Sequence, residues 1–190
     1  MPKHWIALCL GLLAWTGWTE SAAAQHQMPY EFDGTHVAVS IERFMGVDYT
    51  NFEGPGGSDV TARLLLNASE PVPTSLARAG FDVFIDRLSL GLAGGVTTED
   101  VGIITPRVGY LLGLTPTVGL WLRAGAFYAA APGVKYAGIT GDVLFAWFPY
   151  DYFALHLGPT IDLAFADGDP PPNRDYVALG IPELGMSVFF

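Results

Sequence analysis

His156, Thr160 and Asp162 share one phase of the stretch DYFALHLGPTIDLAF at residues 151–165, and their types come nearest in this chain to doing chemistry. Hydrolysis through a covalent intermediate needs a nucleophile beside a base, and the base needs a carboxylate to orient it. This stretch supplies histidine and aspartate but no serine, while Ser40, Ser89 and Ser187 lie elsewhere without a catalytic motif. The plainer reading of His156 is a histidine held in a polar network. Asp167, Gly168 and Asp169 resemble the start of a calcium loop but lack its spaced ligands and terminal glutamate, so they read as a turn. The only cysteine, Cys9, falls in the apolar N-terminal run, leaving no thiol for metal or nucleophilic chemistry beyond it. No catalytic residue, metal or cofactor is therefore expected.

The remaining ionisable groups share a different property, which concerns the elements that hold them. From His36 onward the chain alternates with period two, the signature of strands with two unlike faces. In the opening stretch Phe153, Leu155, Leu157, Pro159, Ile161, Leu163 and Phe165 form one apolar phase, and small or polar residues form the other. The same division recurs along the chain. It places Glu42, Arg78, Asp82, Arg107, Arg123, Asp142, His156, Asp162 and Glu183 together on the polar side. Eight strands are predicted, at 36–48, 77–86, 88–97, 103–114, 117–128, 136–148, 152–165 and 176–190. Short turns follow the second, fourth and sixth, and longer segments follow the first, third, fifth and seventh. Residues 60–66 could make a ninth strand, but that would break this parity, so they are assigned to the first long loop. Two irregularities remain. Arg43 falls on the apolar phase, which requires either a bulge that re-aims it or a side chain that snorkels, and a bulge near Pro182 and Glu183 reconciles the two halves of the last strand.

Composition decides which face meets which solvent. The chain is 51% hydrophobic and only 15% charged, with 23 glycines, whereas soluble surfaces carry about 25 to 35% charged residues. Lys135 is the only lysine after Lys3, so the usual guard of exposed sheet edges is missing, which suggests a closed sheet with a dry outside. The net charge of −10 argues against nucleic acid as a partner. Lys3 and His4, the apolar run from Trp5 to Trp18, and Ala22, Ala23 and Ala24 form a secretory signal expected to be removed after residue 24, leaving one domain at 25–190. That run is shorter than the roughly 20 residues a spanning helix needs, and no later apolar stretch reaches that length, so membrane crossing must use strands. The fold class expected is all-β, an eight-stranded antiparallel up-and-down transmembrane β-barrel with lipid outside and a polar lumen.

With its signal-like start, its turn parity and its final strand Leu184, Met186, Val188, Phe190, the chain resembles small eight-stranded bacterial outer-membrane proteins, the group that includes the OmpA-like transmembrane barrel and the opacity-type adhesins. The resemblance implies an outer-membrane location. It also implies that the four C-terminal residues act as an assembly signal read by the barrel-insertion machinery, and that outer-membrane lipid surrounds a monomer. An interior this narrow is filled by side chains, so the nine polar residues are expected to plug the lumen as ion pairs; a narrow passive channel is the alternative. Tyr128 and Phe165 at the outer side, and Trp147 and Phe153 at the periplasmic side, are expected at the membrane interfaces. Acid-rich loops, with Glu53, Asp59 and Glu70 against Arg63, then Glu99 and Asp100, then Asp167, Asp169 and Asp175 against Arg174, suggest contact with lipopolysaccharide through divalent cations. A structural or surface-interaction role without catalysis follows. The remaining competitor, a secreted soluble barrel around an apolar ligand, would need the small glycine-rich face to serve as its surface.

Overall fold

Residues that alternate between apolar and small or polar types satisfy both surroundings at once only when the strand lies in a wall, and the chain builds such a wall. The computed structural model describes residues 34–52, 58–64, 76–96, 101–167 and 175–190. Among them run β1 (Thr35–Phe52), β2 (Ser58–Leu64), β3 (Arg78–Ile85), β4 (Leu88–Val96), β5 (Gly102–Thr115), β6 (Val118–Ala131), β7 (Val134–Tyr150), β8 (Phe153–Asp167) and β9 (Tyr176–Phe189). Every pairing is antiparallel between neighbours, and β1 also pairs with β9, which closes the sheet. Val37 and Phe190 exchange backbone hydrogen bonds of 3.0 and 2.8 Å at that seam. A row of paired residues followed round the wall leaves β1 at Ala38, passes Asp82, Gly91, Arg107, Gly125, Thr140, Asp162 and Ala178, and returns to β1 higher up, at Thr50. This stagger requires strands tilted from the barrel axis, typically by about 35 to 45°.

The barrel has eight staves although nine strands are described. β2 pairs with Met45–Asn51 of β1, and β3 pairs with Thr35–Glu42 of the same strand, so the two run in one direction along successive lengths of β1. They are two pieces of one stave. The expectation that residues 60–66 belong to a loop is therefore corrected: Ser58–Leu64 is a strand. Turn parity survives because β2 and β3 run in the same direction, both antiparallel to β1.

A second correction concerns the connection after the fifth stave, expected to be long. β6 and β7 extend to a two-residue turn at Pro132 and Gly133. Gly133 adopts a positive φ of 80°, the conformation that tight hairpins demand and that a side chain disfavours. The turns at Asp86–Arg87, Pro116–Thr117 and Asp151–Tyr152 lie at the end shared by Gly34 and Phe190. Loop residues Glu53, Glu70, Glu99, Asp100, Gly168, Asp169 and Arg174, and the signal at 1–24, lie outside the described residues.

Large apolar residues face out all round: Val39, Ile41, Phe81, Leu90, Val108, Ile139, Val143, Phe145 and Ile161 are each 42–54% exposed, as a wall that meets hydrocarbon requires. The inside is not a water column. At the end near the termini, Phe84, Leu111, Trp121, Leu144, Phe148 and Phe189 form an apolar floor, with Phe84 stacked obliquely on Trp121 at 5.3 Å and on Phe189 at 5.7 Å. At the opposite end, Leu76, Ile103, Phe127, Tyr136 and Tyr176 form a roof in which the two tyrosine rings meet edge to face at 5.2 Å. Between floor and roof lie the charges.

Candidate functional site

All nine residues that the alternation assigned to the polar side are buried inside the barrel. Seven lumen side chains join in one alternating chain of acid and base. Arg107 donates from Nη1 to Glu42 Oε2 and from Nη2 to Glu42 Oε1, at 2.5 and 2.7 Å, and its Nε donates to Asp82 Oδ1 at 3.0 Å. Arg123 donates from Nη1 to Glu42 Oε1 at 2.7 Å and from Nε to Asp142 Oδ2 at 3.0 Å. Arg43 continues the chain, donating to Asp142 Oδ1 at 3.1 Å and through both terminal nitrogens to Asp162. The order Asp82, Arg107, Glu42, Arg123, Asp142, Arg43, Asp162 therefore ties together β3, β5, β1, β6, β7 and β8 across the lumen. Charges removed from water are held only with close, multiple partners, and the paired forks here supply them. Ser40 Oγ donates to Glu42 Oε1 at 2.6 Å, and Thr140 Oγ1 accepts from Arg43 Nη2 at 3.2 Å.

Arg43 is the member that the alternation placed on the lipid side. Its φ of 53° lies in the left-handed region, and the β1–β9 ladder shifts register between Ile41 and Met45. The bulge turns the guanidinium inward, 4% exposed. Of the two explanations open at the sequence level, the bulge holds and the snorkel does not. The second bulge also lies where the change of phase put it. β9 shifts against β8 between Gly158 and Thr160 and against β1 between Gly46 and Asp48, opposite Ile181 and Pro182 in both cases.

Glycines make room for the large groups. A Cβ on Gly91 would strike the Asp82 carboxylate, and one on Gly80 would lie 2.6 Å from Arg107 Nη2. Glu183 sits level with Gly46 on one side and Gly158 on the other. Arg78 donates to Thr105 Oγ1 at 3.1 Å.

His156 stands nearer the floor. Its Nε2 lies 3.1 Å from Ser187 Oγ on β9, its ring meets the edge of Trp121 at 6.0 Å, and a Cβ on Gly185 opposite would strike its ring. A search along one strand missed this serine because the pair forms across strands: Ala154 is level with Ser187. His156 and Ser187 are 2% and 1% exposed, with Trp121 packed against the imidazole. Trp121 donates to Ser89 Oγ at 3.1 Å and carries the Arg123 guanidinium 4.6 Å above its ring, so the floor and the ion chain are one packed unit.

The four aromatics expected at the interfaces point out of the barrel. Tyr128 and Phe165 flank Ala137 on one row near the loop end of the barrel. Trp147, 47% exposed, pairs with Leu155, and Phe153 pairs with Val188 near the other end. Leu184, Met186, Val188 and Phe190 alternate along the outer side of β9, with Phe190 73% exposed. No group of three or more histidine, cysteine, aspartate or glutamate residues arranged to hold a metal ion occurs among the described residues.

No protein-family model matches the sequence, and no curated protein matches it by sequence. Solved structures are similar in fold. Neisserial surface protein A shares 12% identity over 82% of this chain and 97% of that chain, with a TM-score of 0.52. The N-terminal β-barrel domain of Pseudomonas aeruginosa OprF shares 12% identity over 82% and 97%, with a TM-score of 0.47. The Yersinia pestis attachment invasion locus protein, Ail, shares 10% identity over 83% and 99%, with a TM-score of 0.43. The likeness to the neisserial surface protein is a likeness of fold, that of a small eight-staved membrane barrel.

Proposed function

We propose that the protein is a structural or surface-interaction barrel of the bacterial outer membrane, with a plugged lumen and no catalysis. The observation that carries this reading is the ion chain from Asp82 to Asp162, sealed between an apolar floor and an apolar roof. A conducting pore needs a continuous wet path, whereas the described lumen side chains pack as an ion chain between two apolar clusters. Catalysis needs a reacting group within reach of a substrate, and the one serine–histidine pair described is buried. The outer wall meets lipid directly. Tyr128 and Phe165 then anchor one interface, Trp147 and Phe153 anchor the other, and the acid-rich loops touch lipopolysaccharide through divalent cations. In this reading residues 1–24 are the removed signal, Leu184, Met186, Val188 and Phe190 present the assembly signal to the insertion machinery, and the barrel works as a monomer.

The test is conductance across a planar bilayer after reconstitution of the purified barrel. The expected record is flat, without discrete steps. Regular unitary steps from the native protein would replace this reading with that of a narrow channel.

A further inference from the structure

The β7–β8 turn carries a feature that the plugged barrel does not use. Tyr150 and Tyr152 have parallel rings, 5.7 Å between centroids and 10° between planes, and both are about 60% exposed. The β7–β8 ladder shifts between Trp147 and Tyr150, so Tyr150 stands level with Phe153 on the lipid-facing side, just beyond Trp147. The backbone is fixed, because the Phe189 N–H donates to the Tyr152 carbonyl at 2.8 Å. Asp151 lies exposed between the two tyrosines, and the described charges of the other turns at this end are Asp86 and Arg87.

We propose that Tyr150, Asp151 and Tyr152 form a binding site for the primary ammonium headgroup of a phosphatidylethanolamine-type lipid in the leaflet next to the termini. The reading rests on the proposed membrane placement of the barrel. Tyrosine faces attract a cation within about 6 Å through the ring quadrupole, and each ring of the stacked, exposed pair keeps an outer face for one. The Asp151 carboxylate accepts hydrogen bonds that a primary ammonium, with three N–H donors, can give and a quaternary choline cannot. An anionic phosphoglycerol headgroup brings no cation. Lipid is the occupant because the rings continue the surface that Trp147 and Phe153 present to the bilayer, at the level where headgroups begin.

The test uses the full barrel in nanodiscs made from equal parts of phosphatidylethanolamine and phosphatidylcholine, and separately of phosphatidylethanolamine and phosphatidylglycerol. Lipids that remain on the protein after release are identified by native mass spectrometry. The native protein is expected to retain phosphatidylethanolamine about threefold over either competitor, and the triple variant Tyr150→Leu, Asp151→Asn, Tyr152→Leu to show no preference. The single variant Asp151→Asn, which keeps both rings, should lose the preference over phosphatidylcholine first. Equal retention in the native protein, a preference for phosphatidylglycerol, or a preference that survives the triple variant overturns the site. Heat-modifiable gel migration is read on every sample. Its absence in the native protein counts against the barrel placement, and its presence beside lost lipid selectivity counts for the site alone.

Discussion

Arg107 shows how much a single residue carries in a narrow lumen. Its guanidinium binds both Asp82 and Glu42. Arg107→Met takes the buried Asp82 carboxylate's arginine away and leaves Glu42 with Arg123 alone, and should cost about 3 to 5 kcal/mol, read as a lower urea midpoint for unfolding from lipid vesicles. An unchanged midpoint would show that water screens the lumen. Much of the lumen was legible from the sequence, because period two separates an inward from an outward set without any knowledge of partners. Two residues were not. Arg43 carries an outward phase and an inward side chain, and only its left-handed backbone reveals the reversal. The contact between His156 and Ser187 depends on cross-strand register, which no single strand contains. The two tryptophans after residue 24 offer a further check at this scale, since Trp147 points out and Trp121 in. Lipids brominated on the acyl chains near the headgroup should quench Trp147, measured in Trp121→Phe, and leave Trp121 unquenched in Trp147→Phe.

The strands explain why the element boundaries were harder to read than the faces. Alternation tells a strand from a loop but not one stave from two pieces of one, so from sequence the β2–β3 stave reads as a loop followed by a strand. The decisive fact is that both halves pair with β1, which lies outside the sequence of either half. The β6–β7 hairpin was misjudged for a related reason: Ala129, Ala130 and Ala131 give almost no contrast between faces, so the alternation fades before the strand ends. The outer face of the long strands still makes a sharp prediction. Val143 lies mid-strand on β7, 42% exposed to lipid, and Val143→Arg should destabilise the barrel by about 2 to 4 kcal/mol, measured by the same urea titration. Lys135, near the loop end of that strand, should tolerate Lys135→Arg with little change, which ties the cost to depth and not to charge alone.

At the scale of the whole molecule, the barrel is an inverted protein, with its charges inside and its hydrocarbon surface outside. Its closure into a ring and its buried ion chain both follow from that inversion. Removing the ion chain without removing the floor and roof separates plug from scaffold. Glu42→Gln combined with Arg123→Met should leave conductance flat, because Phe84, Trp121 and Phe189 still fill the floor and Phe127, Tyr136 and Tyr176 the roof. Bilayer recordings that show steps only in this variant would mean that the ions alone hold the lumen shut.

The pair Glu42 and Arg43 has one more consequence, for the order in which the molecule becomes itself. An arc of β3 to β8 satisfies Arg107 partly through Asp82 and Arg123 partly through Asp142, yet β1 brings both Arg43, which binds Asp162, and Glu42, the carboxylate that bridges Arg107 and Arg123. Both missing pieces arrive with two consecutive residues of the first strand. A partly closed arc therefore carries mismatched charge at its centre until that strand is in register, and a slip of even one position withdraws both partners together. Like the keystone of an arch, the bulge at Arg43 reports completion, and it does so from the middle of the ring.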